Sequence, residues 1–227
     1  YCLNKVPESD LKKECHPLWK NGSKLLHPCG SVANTLFNDV ITLSVDGRDD
    51  VAMREDDIAW KSDVTYVFKQ PGGFTYVVLD PTLDTAASDD ACFARDAHLE
   101  PIPCGPALCE AHGLGGACYG YVCAGGFYDK RRCAAGDLAL FRYDDVDRYQ
   151  YLYQTFPQVV SPLVGVDSEH FAVWMKLAAF PRFRKLYGRV EATLHRGTTL
   201  TFTIENNFDV RAFSGAKQGS KRVRNSQ

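Results

Sequence analysis

Val190-Glu191-Ala192-Thr193-Leu194-His195-Arg196-Gly197-Thr198-Thr199-Leu200-Thr201-Phe202-Thr203-Ile204-Glu205-Asn206-Asn207-Phe208-Asp209-Val210-Arg211-Ala212-Phe213 reads as three short β-prone runs joined by polar turns. The runs are Val190–Leu194, Thr198–Ile204 and Phe208–Phe213, and His195-Arg196-Gly197 and Asn206-Asn207 supply the turns. Runs this short, this close together, pair antiparallel. The same grammar recurs upstream. Val40–Val45 alternates like a strand, Ile58–Lys69 spaces Trp60, Val64, Tyr66 and Phe68 by two or four, and Phe74–Leu79 follows the turn Pro71-Gly72-Gly73. Leu138–Tyr143 suits another strand, and the nearly all-apolar Phe171–Leu177 suits a central strand buried on both sides. Tyr149, Tyr151 and Tyr153 alternate like one face of an edge strand.

Helices are few. Ser31 can cap a short one carrying Val32, Ala33, Leu36 and Phe37, and Pro181 can open another with Phe183, Leu186 and Tyr187 on one face, ended by Gly188. Residues 1–30, with three Pro and three Cys, read as an extended surface segment, and Asp46–Asp57, with six acids and two Arg, as a solvated loop. The fold class expected is mainly β: an antiparallel sandwich with short helices. From about Asp80 to Gly136 the composition changes to cysteines and glycines with no lasting period. That stretch, 80–136, is expected to be a disulfide-tied insertion with little regular structure and no hydrophobic core of its own, projecting from a single domain spanning 1–227.

The chain of 227 residues is 45% hydrophobic and 12% aromatic, so it can bury a sizeable core. A net charge of −2 gives no general attraction to nucleic acid or to anionic membranes. The exception is Ala216–Gln227, with Lys217, Lys221, Arg222 and Arg224 and no acid, a solvated tail. Nine cysteines favour an oxidising compartment, and Asn21-Gly22-Ser23 is an N-glycosylation sequon. The longest uncharged run, Tyr149–Val166, holds three Gln and two Pro and is no membrane span. Either a secreted protein or an ectodomain cut from its membrane anchors fits, and the abrupt start at Tyr1-Cys2 favours the second.

A bridge between Cys15 and Cys29 would close a loop of ordinary size and contribute about 3 kcal/mol in the chain-entropy model. Cys92, Cys104, Cys109, Cys118, Cys123 and Cys133 allow about 15 pairings that the sequence does not rank, and Cys2 is left over. The rival to disulfides is zinc, through the pairs Cys104/Cys109 and Cys118/Cys123 with His112 between, but metal ribbons use tighter spacing. No metal and no cofactor is expected. Catalytic patterns fail as well: there is no Gly-x-Ser-x-Gly, no His-Glu-x-x-His and no phosphate loop, since Gly113-Leu114-Gly115-Gly116 lacks its lysine. Adjacent carboxylates Asp89-Asp90 and Asp144-Asp145 point apart on a strand. The chain is expected not to be an enzyme. Trp60 and Trp174, inside strand-like runs, fit core packing or a partner interface.

Four blocks, in order, carry a resemblance. They are Glu14-Cys15 with Pro28-Cys29-Gly30 through Asn38-Asp39; Ile58-Ala59-Trp60-Lys61-Ser62-Asp63 with Val67-Phe68-Lys69 and Pro71-Gly72; Tyr153-Gln154-Thr155-Phe156-Pro157 with Glu169–Val190; and Asn206–Lys217. Together they resemble the non-catalytic β-subunits of lipid-flipping P-type ATPases. The resemblance implies an exoplasmic β-sandwich between two membrane helices, a Cys15–Cys29 disulfide, and obligate pairing with a catalytic α-subunit. It also implies escort of that subunit out of the endoplasmic reticulum and support of the transport cycle, at the exoplasmic face of plasma membrane, Golgi, endosome or endoplasmic reticulum. Within the blocks Trp60, Trp174, Arg182, Arg184, Lys185, Tyr187 and Arg211 are the candidate partner contacts. The pump's own Asp-Lys-Thr-Gly motif is missing, because Asp129-Lys130 is followed by Arg131. The alternative is a cell-surface ligand-binding receptor on the same scaffold, using the cysteine-rich insertion as its binding site.

Overall fold

The computed structural model describes residues 6–48, 50–80, 91–93 and 101–221. Cys2, Asp89-Asp90, His98 and the end of the basic tail, with Arg222 and Arg224, lie outside them. The N-terminal thirty residues are more ordered than their polarity suggests. Helix α1 (Glu8–Glu14) has acids in its first turn, lysines in its last and Leu11 buried beneath, the charge order a helix dipole favours. Strands β1 (Lys20–Asn21) and β2 (Lys24–His27) turn back through Gly22 at φ +58° and bury Leu25 and Leu26. The expected extended surface segment is therefore corrected: this segment supplies a sheet.

Three sheets form among the described residues. β2 lies between β1 and β8 (Tyr149–Tyr151), pairing parallel with β8. β3 (Val40–Val45) pairs antiparallel with β9 (Leu200–Glu205) along all six residues. The largest sheet has the order β4 (Thr75–Val78), β7 (Leu138–Arg142), β6 (Tyr119–Val122), β5 (Ile102–Pro103), antiparallel throughout. The expected β-sandwich class holds, with short helices α2 (Pro106–Ala111), α3 (Gly126–Asp129), α4 (Leu152–Thr155) and α5 (Glu169–Met175). Strand β7 explains the layering, because Ala139, Leu140 and Phe141 are all fully buried. Phe141 faces the main core, its ring 5.7 Å from Tyr153, while Tyr143 lies 4.4 Å from Tyr151 of the three-stranded sheet. Leu140 faces the other way.

What Leu140 faces is the cysteine-rich segment. Cys92, Phe93, Cys104, Cys109, Leu114 and Cys118 are buried with it and with Leu79. Disulfides join Cys92 to Cys104, Cys109 to Cys118 and Cys123 to Cys133, with Cα separations of 4.9, 5.6 and 6.1 Å, and Cys15 joins Cys29 at 5.5 Å. The expectation of a projecting, coreless module is overturned. The segment contributes β5, β6 and α2, and β6 is an inner strand. Short glycine-rich runs hid this, because the core is built from sulfur and two or three large side chains rather than from a periodic face. The zinc arrangement is also displaced. Cys123 and Cys133 lie with buried Asp129, ligand atoms within 4.8 Å, but both sulfurs are in the bridge and offer no thiolate. Asp129 instead accepts from Tyr121 Oη at 3.1 Å and from the Gly125 amide at 2.6 Å.

Five further segments differ from their sequence reading. Phe171–Leu177 is not a strand: Phe171–Met175 is the body of α5, and Lys176 and Leu177 lie beyond its end. Ser168 caps it by accepting from the Phe171 amide at 3.4 Å, Glu169 occupies its first turn, and Phe171 and Ala172 face the core. An apolar run of seven fits either period. Ile58–Lys69 makes a π-helical turn over Asp63–Val67 rather than a strand. Val190–Leu194 is irregular beyond the isolated bridge Arg54–Arg189, and Phe208–Phe213 ends in a 3-10 turn, Arg211–Phe213. There Asp39 overrides β propensity: its carboxylate accepts the Asn207 and Phe208 amides at 2.8 and 2.7 Å and binds Lys217 Nζ. Pro181–Gly188 forms no helix, for a reason given below. Tyr149, Tyr151 and Tyr153 are all buried: the first two lie on edge strand β8, and the third has passed into α4.

Candidate partner-binding surface

Helix α5 ends at Met175, and its last carbonyls have no partner within the helix. Lys185 supplies one. Its Nζ donates to the carbonyls of Val173, Trp174 and Lys176 at 2.8, 2.9 and 2.5 Å. This pulls the chain back across the helix end and keeps Pro181–Gly188 out of helical form, which overrides the helix signal there. Burial lowers the Lys185 pKa, and the carbonyl cradle and helix dipole favour its charge. Residues 176–184 are thus a loop clasped at its neck, and all nine are exposed.

Trp174 and Tyr187 are also tied into the fold. Trp174 Nε1 donates to the Val32 carbonyl at 2.9 Å, with its ring 5.4 Å from Phe208 and 6.3 Å from Phe37. Tyr187 Oη accepts the Ile41 amide at 3.0 Å on the edge of β3. Burial, then the nearby Glu55, pushes its pKa up to about 12. The remaining candidates face solvent. Arg182 and Arg184 stand on the clasped loop, and Arg211 pairs with nearby Asp209 at 2.9 Å. Trp60 is 72% exposed, against the expectation of core packing. The structure brings Trp60 and the loop together. Glu169 in the first turn of α5 accepts the Asp57 and Ala59 amides at 3.2 and 3.0 Å, fixing the backbone that carries Trp60. Buried Asp63 binds Lys176 Nζ at 2.8 Å, and that ammonium lies 5.4 Å from the centre of the Trp60 ring.

Between them runs a groove of about 410 Å³ lined by Ile58, Trp60, Lys176, Phe180, Phe183 and Leu186, among others. Leu177 is 88% exposed, Phe180 76% and Phe183 54%. These apolar residues were missed by the sequence reading, which buried Leu177 in a strand and Phe183 on a helix face. A signal was present: after Val173 the run has no β-branched residue, and Ala178-Ala179 leads into Phe180-Pro181, a poor continuation for a strand. Asn21 is exposed at the β1–β2 turn, its Nδ2 donating to Gln150 Oε1 at 3.0 Å. Among the described residues no helix is long and apolar enough to cross a membrane.

Against known proteins, residues 3–107 and 127–220 match the LEM3 (ligand-effect modulator 3) family / CDC50 family. The unmatched interval, 108–126, holds Cys109, Cys118, Cys123 and strand β6. The chain is similar to cell cycle control protein 50A of Bos taurus, 37% identical over 227 residues covering 95% of this chain and 46% of that protein. It is 25% identical to the Rattus norvegicus cell cycle control protein 50A over 229 residues, 95% of this chain and 52% of that one. ALA-interacting subunit 3 of Arabidopsis thaliana is 42% identical over 52 residues, covering 23% of this chain and 15% of that protein. The chain spans about half the length of the cell cycle control proteins 50A that it matches. With the family matched over most of its length, the chain belongs to the LEM3/CDC50 family.

Proposed function

We propose that this chain is the exoplasmic part of a non-catalytic accessory subunit of a phospholipid-flipping P-type ATPase. The family match over residues 3–107 and 127–220 carries the reading. The name of the plant relative, an interacting subunit, supports a role exerted through another protein. The relatives are about twice as long as this chain, and we place the membrane anchors in the part of the protein beyond it. Disulfide-bonded cysteines and an exposed Asn21 in a sequon support an oxidising, exoplasmic setting with a glycan at Asn21. Arg211 is the exposed contact we assign to the catalytic partner, and Trp60, Arg182 and Arg184 also reach solvent, on the face that carries the clasped loop. Trp174, Lys185 and Tyr187 act indirectly, by shaping that surface. No observation favours the receptor alternative.

The test is co-expression of the full-length protein with its cognate ATPase. The ATPase should leave the endoplasmic reticulum only when the full-length protein is present. Equal export of the ATPase without it would refute an escort role.

A further inference from the structure

The loop 176–184 has a chemistry of its own. Its tip, Leu177-Ala178-Ala179-Phe180-Pro181, has no polar side chain, and every residue of it is exposed. Exposing Leu177 and Phe180 in water is unfavourable relative to burying them. The loop cannot fold back to bury them, because Lys185 pins its neck to three carbonyls and Asp63 pins Lys176. Behind the tip sits a cationic collar. Arg182 and Arg184 are exposed, and Lys176 stands beside the Trp60 ring. Among the residues lining the groove Asp63 is the one acid, and Lys176 neutralises it. The surface is therefore an apolar, aromatic tip with net positive charge around it.

We infer that this loop docks on a phospholipid bilayer surface. Leu177, Phe180 and the edge of Trp60 enter the boundary between headgroups and acyl chains, while Arg182 and Arg184 meet lipid phosphates. An aromatic and aliphatic tip with a basic rim has the composition of interfacial anchors, in which long cationic side chains reach to headgroup level as their stems cover apolar surface. Charge complementarity with phosphate selects a bilayer over an uncharged apolar protein groove. The contact requires no catalytic partner, so vesicle binding and assembly with an ATPase can fail independently.

The experiment is flotation of the 227-residue chain with vesicles of phosphatidylcholine and phosphatidylserine, read alongside tryptophan fluorescence. The protein should float with the vesicles, and its emission should shift to the blue and be quenched by brominated acyl chains. Both fluorescence changes should vanish in Trp60→Phe, which leaves Trp19 and Trp174 in place. Leu177→Asp with Phe180→Asp should abolish flotation while leaving the thermal midpoint unchanged, because both side chains are exposed. Arg182→Glu with Arg184→Glu should weaken binding roughly tenfold or more. Absence of flotation by the wild-type chain would overturn the inference. So would flotation that survives the aspartate substitutions, or loop variants that still bind vesicles yet no longer co-purify with an ATPase, which would make the loop a protein contact.

Discussion

Lys185 shows how one side chain decides a neighbourhood. By satisfying three carbonyls at the end of α5 it fixes both the loop 176–184 and the non-helical path of Pro181–Gly188. Lys185→Met should cost about 1–3 kcal/mol, the range for leaving such acceptors unpaired, and should increase protease cleavage within 176–184. A cleavage pattern unchanged from wild type would contradict the clasp. His27 makes a pH prediction. Burial lowers its pKa from 6.5 to about 4, and its Nδ1 has no partner among the described residues. The unfolded chain therefore takes up a proton at a higher pH than the folded one. Stability is held above the unfolded value and lost as pH falls toward the folded one. Between about pH 7 and about pH 5 the loss should be about 2 kcal/mol in urea titrations, and His27→Gln should flatten that limb. Neither role is visible in sequence. A lysine in a basic run and a histidine before a proline look like surface residues until the fold brings carbonyls or burial to them.

Among the elements, β3 and β9 were legible because alternation and a polar turn are local signals, and their register pairs Ile41 with Ile204 and Leu43 with Phe202. Helix α5 was not, since Phe171–Met175 is apolar at both periods and Ser168 decides between them only when its cap is seen. Strand β6 was hidden by its length, four residues between cysteines. Its Gly120 reports how tightly the cysteine-rich segment is packed. A Cβ there would stand 2.3 Å from the Cys92 carbonyl oxygen and 2.9 Å from its Sγ. Gly120→Ala should therefore destabilise by about 1–3 kcal/mol, the usual range for overpacking, although its backbone conformation suits alanine. A thermal midpoint equal to wild type would show that β6 and the Cys92–Cys104 bridge are not in contact.

For the whole molecule, composition and cysteine count point to the β-rich class and to an oxidising compartment, and the four sequence blocks point to the family later matched. The position of the cysteine-rich segment was not legible, because a buried face made of disulfide sulfur leaves no hydrophobic period. Replacing 80–136 with a Gly/Ser linker removes two of the four strands of the largest sheet and uncovers Leu140. That deletion should leave no cooperative unfolding transition by circular dichroism. A folded deletion would restore the segment to an appendage. The exposed face carrying Trp60, Leu177 and Phe180 fits the proposed work against a larger partner and its bilayer.

A chain that works as a subunit, as proposed, should leave the membrane together with its partner. The most direct test is gentle purification of the full-length protein from its native membrane, with its partners identified and counted by mass spectrometry. A P-type ATPase should be recovered at one copy per copy of this protein, with ATP hydrolysis stimulated by phospholipid. Recovery of the protein alone, or with a soluble ligand held at the cysteine-rich segment and no ATPase, would contradict it.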